Sequence, residues 1–124
     1  MDYTGHVSIR ALVTVVETPE ILARIDKLMT EGEREELIAY LAANPTAGDL
    51  IPGTGGVRRL RRGLAGRGKR GGARVIDLYQ KADFPLFALT IFAKNERADL
   101  SQHDRYGLRG LTKLLADTYR RTRP

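Results

Sequence analysis

Apolar and polar positions change period several times along the chain, and each change marks an element. Val7 to Val16 is rich in Val and Ile, which predicts a first strand. Thr18-Pro19-Glu20 then supplies a hydroxyl cap, a proline in the first turn and an acid near the positive end of a helix dipole. Ile21, Leu22, Ile25, Leu28 and Met29 follow at helical spacing. Thr30 with Glu33 makes the capping-box pattern of a second helix, which buries Leu37, Ile38 and Leu41 and stops at Asn44-Pro45. The two helices form a hairpin with a tight joint.

Beyond it the period shortens. Thr46 to Gly56 is a loop dense in glycine and proline, and Val57 to Arg62 predicts a strand. Alternation puts Arg59 and Arg61 on one face of that strand, roughly 7 Å apart. Gly63 to Gly72 is a basic, glycine-rich hairpin connection, Ala73 to Lys81 a third strand, and Asp83-Phe84-Pro85 a turn. Leu86 to Ala93 is nearly all apolar, as a central strand buried on both faces requires. Ser101 with Asp104 caps a last helix, which carries Leu108, Leu111 and Leu115 on one side and Arg120 and Arg121 in its final turn. The order β-α-α-β-β-β-α predicts an α+β fold, a small antiparallel sheet flanked by helices, within one domain spanning residues 1–124.

Apolar and charged shares of 42% and 29% are ordinary, but a net charge of +6 is not. It suits nucleic acid or another polyanion. The excess is concentrated between Val57 and Tyr79, where Arg58, Arg59, Arg61, Arg62, Arg67, Lys69, Arg70 and Arg74 face Asp77 alone. Each base that neutralises a phosphate releases counterions, so this run is the candidate nucleic-acid surface. Guanidiniums mounted on strands are pre-aimed, and their forks match phosphate oxygens. Arg59, Arg61 and Arg74 are therefore candidates for gripping a phosphate, with Lys94 placed to join them in one basin from the exit of the last strand. Arg58, Arg62, Arg67, Lys69 and Arg70 are candidates for contact with a nucleic-acid backbone.

Other chemistries find no support. The chain has no cysteine, which excludes disulfides, thiolate metal sites and a cysteine nucleophile. His6 and His103 lie far apart without acids at ligand spacing, so neither a metal nor a cofactor is expected. Lys69 is followed by Arg70 rather than by Ser or Thr, which rules out a Walker loop. The first residues lack a secretory leader, and no apolar run approaches the roughly 20 residues that span a bilayer. A cytoplasmic protein without membrane contact is expected.

The succession NPTAGDLIPGTGGVRRLR, GRGKRGGARVI and LTIFAKNERADLS resembles the RelE/HigB superfamily, and more narrowly the HigB-type toxins of bacterial toxin–antitoxin pairs. The likeness covers roughly Thr18 to Leu115. It implies a RelE-like fold and a ribosome-dependent mRNA interferase, which cuts the messenger in the ribosomal A site. In that reaction a ribose 2′-hydroxyl attacks the adjacent phosphate without a metal, and a cognate antitoxin, usually of helix-turn-helix type, silences the enzyme. The partners implied are thus the antitoxin, the ribosome and mRNA. Arg59 and Arg61 match the family's paired basic residues on the second strand, Arg74 the arginine opening the third, and Lys94 the basic residue at the last strand's exit. Lys69 and Arg70 would hold ribosomal RNA or the messenger backbone.

In RelE a further arginine and a tyrosine follow, where this chain has Asn95 and Ser101. An arginine stays protonated and is a poor base. Lys94 or Lys69 could accept the proton if neighbouring cations lower its pKa; Tyr79 and Tyr106 are substitutes; positioning of the 2′-hydroxyl alone is a third route. A non-catalytic RNA- or ribosome-binding module, or an inactive homologue that keeps its antitoxin contact, would share the same basic surface.

Overall fold

The computed structural model describes residues 12–64, 72–81, 84–96 and 100–122. Among them the chain runs through Val15–Glu17 (β1), Pro19–Leu28 (α1), Glu31–Ala43 (α2), Asp49–Leu50 (β2), Val57–Arg62 (β3), Ala73–Leu78 (β4), Leu86–Ala93 (β5) and Gln102–Thr122 (α3). The strands form one sheet in the order β1-β5-β4-β3-β2. β2–β3, β3–β4 and β4–β5 pair antiparallel, as short connections dictate. β1 instead runs parallel to β5, opposing Val15 to Leu86 and Glu17 to Ala88. The α+β fold is the expected one, but the sheet is mixed at this edge. A three-residue strand carries no signal of its direction, and its partner lies 71 residues further along the chain. The expected first strand reached back to Val7, and its residues before Leu12 lie outside the described segments.

Alternation along the central strands gives the sheet two cores. Leu60, Ala73, Val75, Leu86, Ala88 and Ile91 pack with Ile21 and Ile25 of α1 and Leu37 and Leu41 of α2. On the opposite face Val57, Ile76, Leu78, Leu89 and Phe92 pack with Leu108 and Leu115 of α3. The last helix turns its buried side through Leu108, Thr112, Leu115 and Ala116, which leaves Leu111 38% exposed rather than in the core. Burying a Leu or Ile side chain is worth roughly 1.5–3 kcal/mol, so these two layers carry most of the stability.

Local signals act where tertiary contacts permit. Thr30 and Glu33 form the full capping box, with bonds of 3.1 and 3.0 Å. Thr18 stands at the N-cap of α1, but its hydroxyl reaches across to the Ala88 and Leu89 carbonyls at 2.9 and 3.0 Å. Those carbonyls belong to a β-bulge: Ile76 opposes Thr90 while Asp77 opposes Ala88, leaving Leu89 as the extra residue. Ser101 and Asp104 cap α3 reciprocally at 3.0 and 3.1 Å. The regular ladder of β4 stops at Leu78 instead of Lys81, with Tyr79 N adding one bond to the Gly56 carbonyl at 3.1 Å.

Candidate functional site

In β3 the residues Val57, Arg59 and Arg61 face α3, whereas Arg58, Leu60 and Arg62 face α1 and α2, as the core memberships of Val57 and Leu60 show. In β4, Arg74 shares the α3 face with Ile76 and Leu78. Arg61 and Arg74 are direct cross-strand partners, and Phe92 opposes Arg74 from β5. The next rung is Arg59, Ile76 and Thr90. Arg59, Arg61 and Arg74 therefore share one face, with partners across a rung about 5 Å apart at Cβ. Arg61 is exposed and Arg59 half-buried, while Arg74 is only 9% exposed and forms the floor.

Like charges set directly opposite each other destabilise a sheet, by an amount on the order of 0.5 kcal/mol. A bound anion would reverse that sign. Close packing of the backbone supports the floor: a Cβ on Gly72 would lie 2.9 Å from the Arg62 carbonyl and 3.8 Å from Arg74 Nη1.

The Gly72 carbonyl also accepts from Lys94 N at 3.0 Å, which ties the exit of β5 to the entrance of β4. Lys94 is exposed and opens the turn that follows β5. That turn is clamped from behind. Glu96 Oε1 accepts from Ala93 N at 3.2 Å, and Arg24 of α1 donates to Glu96 at 2.8 Å and to the Ile91 carbonyl at 2.7 Å.

The remaining basic candidates are divided. Arg58 lies on the opposite face, where its Nη1 donates to the Tyr79 carbonyl at 2.8 Å and its guanidinium stands 6.0 Å from the Tyr79 ring. Arg62, also on that face, stacks 5.0 Å over the Tyr40 ring. Arg67, Lys69 and Arg70 lie outside the described residues. Tyr79 is buried in the α1/α2 core, away from the arginine face, so its suggested role as a proton acceptor there is corrected. Side chains alternate across a strand, and the position of Tyr79 continues the α1/α2-facing set.

Beneath Arg58 sits Asp77, its cross-strand partner, only 1% exposed. Neither carboxylate oxygen has a hydrogen-bond partner among the described residues. Burial pushes its pKa up to about 7, against the attraction of Arg58.

A second basic group adjoins the α3 side, and the strand pattern did not point to it. Arg105, Tyr106 and Arg109 line a cavity of about 130 Å3 with Gln102, Pro52 and Gly53. The available signal was basic residues four apart on a predicted helix. Ser101, at the position of the family's tyrosine, spends its hydroxyl on the α3 cap. Among the described residues no group of three or more His, Cys, Asp or Glu could hold a metal ion, and no helix is long and apolar enough to cross a membrane.

The family model described as the RelE toxin of the RelE/RelB toxin–antitoxin system matches residues 34–122. That stretch begins within α2 and ends with α3, so it contains the antiparallel strands, the Arg59–Arg61–Arg74 face and the Lys94 turn. Sequence likeness and architecture agree over most of the chain, and the protein belongs to the RelE toxin family of toxin–antitoxin systems.

Proposed function

We propose that this toxin is a HigB-type, ribosome-dependent mRNA interferase acting in the cytoplasm, on messages in the ribosomal A site. The observation that carries the reading is the Arg61–Arg74 cross-strand pair with Arg59 beside it on one sheet face. In the proposed reaction a ribose 2′-oxygen attacks the adjacent phosphorus in line, the bond from phosphorus to the 5′-oxygen breaks, and a 2′,3′-cyclic phosphate forms. The 2′-proton leaves to a base, and the departing 5′-oxygen gains one. Negative charge grows on the non-bridging oxygens, where fixed guanidiniums stabilise it without reorganising.

Arg74 is suited to the deepest of these contacts, because its burial in a dry floor strengthens each interaction with a developing charge. Arg61 and Arg59 take the flanking phosphate oxygens. The guanidiniums cannot accept the proton. Lys94, joined through its backbone to Gly72 and so to the start of β4, adds a further cation beside them, and the 2′-proton passes to water as the positioned hydroxyl attacks. Family membership implies an antitoxin partner; a helix-turn-helix antitoxin is the proposed type. The reaction as written needs neither metal nor cofactor.

Expression of the chain alone in a bacterium tests this reading. Growth should arrest, with new 5′ ends mapping inside translated messages. Removing one pre-organised charge donor typically costs ~100- to 1,000-fold in rate, so Arg74→Ala or Arg61→Ala should relieve the arrest while the purified domain stays folded. Toxicity that survives both changes refutes the site. A second reading, an inactive homologue that keeps its antitoxin contact, draws on Ser101, whose hydroxyl is committed to capping α3. It predicts antitoxin binding with no cleavage by the unaltered chain.

A further inference from the structure

We infer that the groove between α3 and the Ile51–Gly56 loop is a second RNA-binding surface, which holds the strand outside the Arg59–Arg61–Arg74 face through Arg109, Lys113 and Tyr106. The inference rests on the proposed reading of the protein as an RNA-cleaving toxin and extends its contact with substrate beyond the reacting phosphate.

Arg105, Arg109 and Lys113 follow one another at intervals of four residues, about 6 Å along the helix axis, so they form one stripe. Like charges at this spacing disfavour the helix, and the first acid along the stripe is Asp117, one turn past Lys113. The acids within α3 are engaged elsewhere: Asp104 caps the helix start, and Asp117 pairs with Arg120 at 2.9 Å. Among the described residues neither Arg109 nor Lys113 makes an ion pair, and both are exposed.

The far wall of the groove is backbone. Gly53 and Gly55 adopt φ of +76° and +77°, and a Cβ on Gly55 would meet Thr112 Cγ2 at 3.2 Å. Thr54 locks the loop, donating to the Ile51 carbonyl at 2.6 Å and accepting from Val57 N at 3.2 Å. The wall is thus rigid and close to the helix, and it leaves the cavity at Pro52 and Gly53 open beside Arg105 and Arg109.

Aromatic chemistry favours RNA over an acidic protein. Tyr106 is 73% exposed, with the Arg109 guanidinium 5.8 Å from its ring. An unstacked base finds both a ring and a guanidinium plane there, alongside cations for its phosphate. Acidic side chains would use only the cations.

The site also adjoins the proposed catalytic face. Thr90 lines a cavity with Leu100, His103 and Asp104, and Thr90 shares its rung with Arg59. The start of α3 therefore stands above that rung, with the basic stripe on its other flank.

The test measures a labelled single-stranded RNA binding to the full chain by anisotropy across a salt series. Arg109→Ala with Lys113→Ala should weaken binding at least threefold at low salt and make the log–log salt slope shallower by about 1.4, two phosphate contacts' worth. Tyr106→Leu should weaken binding at least about fivefold with the slope unchanged. Lys27→Glu changes the net charge by the same amount on α1, outside the groove, and should leave the slope as it is. An unchanged slope in the Arg109/Lys113 variant overturns the inference, as does an equal change in the Lys27→Glu control. Indifference of RNA binding to Tyr106→Leu, together with tight polyglutamate binding, would assign the groove to an acidic protein instead. Messenger cleavage lost in Arg74→Ala, beside an unaltered slope in Arg109/Lys113, defeats this surface and spares the proposed enzyme. A shallower slope in a chain that never cuts RNA does the reverse.

Discussion

Replacing Asp77 by Asn removes a charge from the most deeply buried carboxylate described, and the structure fixes the sign of the outcome. The side chain is 1% exposed between Arg58 on β3 and Ala88 on β5. Arg58 aims its Nη1 at the Tyr79 carbonyl, so desolvation dominates and the folded pKa rises from 3.8 to about 7. Between those values the native state keeps a proton that the unfolded chain releases. Stability contributed by that proton is full below about pH 4, falls as pH rises, and is gone above about pH 7. At 1.36 kcal/mol per unit the total is on the order of 4 kcal/mol. Asp77→Asn holds the uncharged shape at every pH. It should match the parent near pH 4 and exceed it by a few kcal/mol at pH 8. Urea unfolding of both proteins from pH 4 to 8, followed by circular dichroism, gives the difference free of other titrations. A gap that does not grow with pH, or an Asn variant weaker at pH 8, would mean that Arg58 outweighs burial and would refute the reasoning.

Three further outcomes are expected. Leu37→Ala empties a fully buried position in the α1/α2 core, and urea midpoints should show a loss of about 2–5 kcal/mol. Gly55→Ala imposes a left-handed φ on a residue with a Cβ and presses it against Thr112; thermal unfolding should report about 1–2 kcal/mol lost. Arg24→Ala releases the Glu96 clamp behind the Lys94 turn. Its exposed ion pair is worth under about 1 kcal/mol and its bond to the Ile91 carbonyl about 1 kcal/mol, so the melting temperature should fall by only a few degrees, while the proposed messenger cleavage should fall severalfold.

Strong local patterns announced their elements well. Val57–Arg62 and Leu86–Ala93 are strands over the very residues that alternation and continuous apolarity mark, and the Thr30 box starts α2. Long-range partners were illegible. Nothing in Val15–Glu17 encodes a parallel neighbour, and nothing in Thr18 tells that a bulge at Leu89 will claim its hydroxyl. Leu111 repeats at helical spacing yet turns outward, because the small side chains of Thr112 and Ala116 let the helix approach on a different stripe. The sharing of one face by Arg59 and Arg61 followed from strand period alone. That Arg74 would stand directly across from Arg61 depended on the hairpin register, which composition does not specify.

Both rims of the sheet are short: three residues in β1 and two in β2. A fibril or a domain swap grows by zipping backbone to backbone along such a margin, and here the zipper runs out after one or two teeth. Asp49 and Glu17 add charge at those margins. At the two rims of the described sheet, copies of the toxin thus offer one another little main chain through which to knit together.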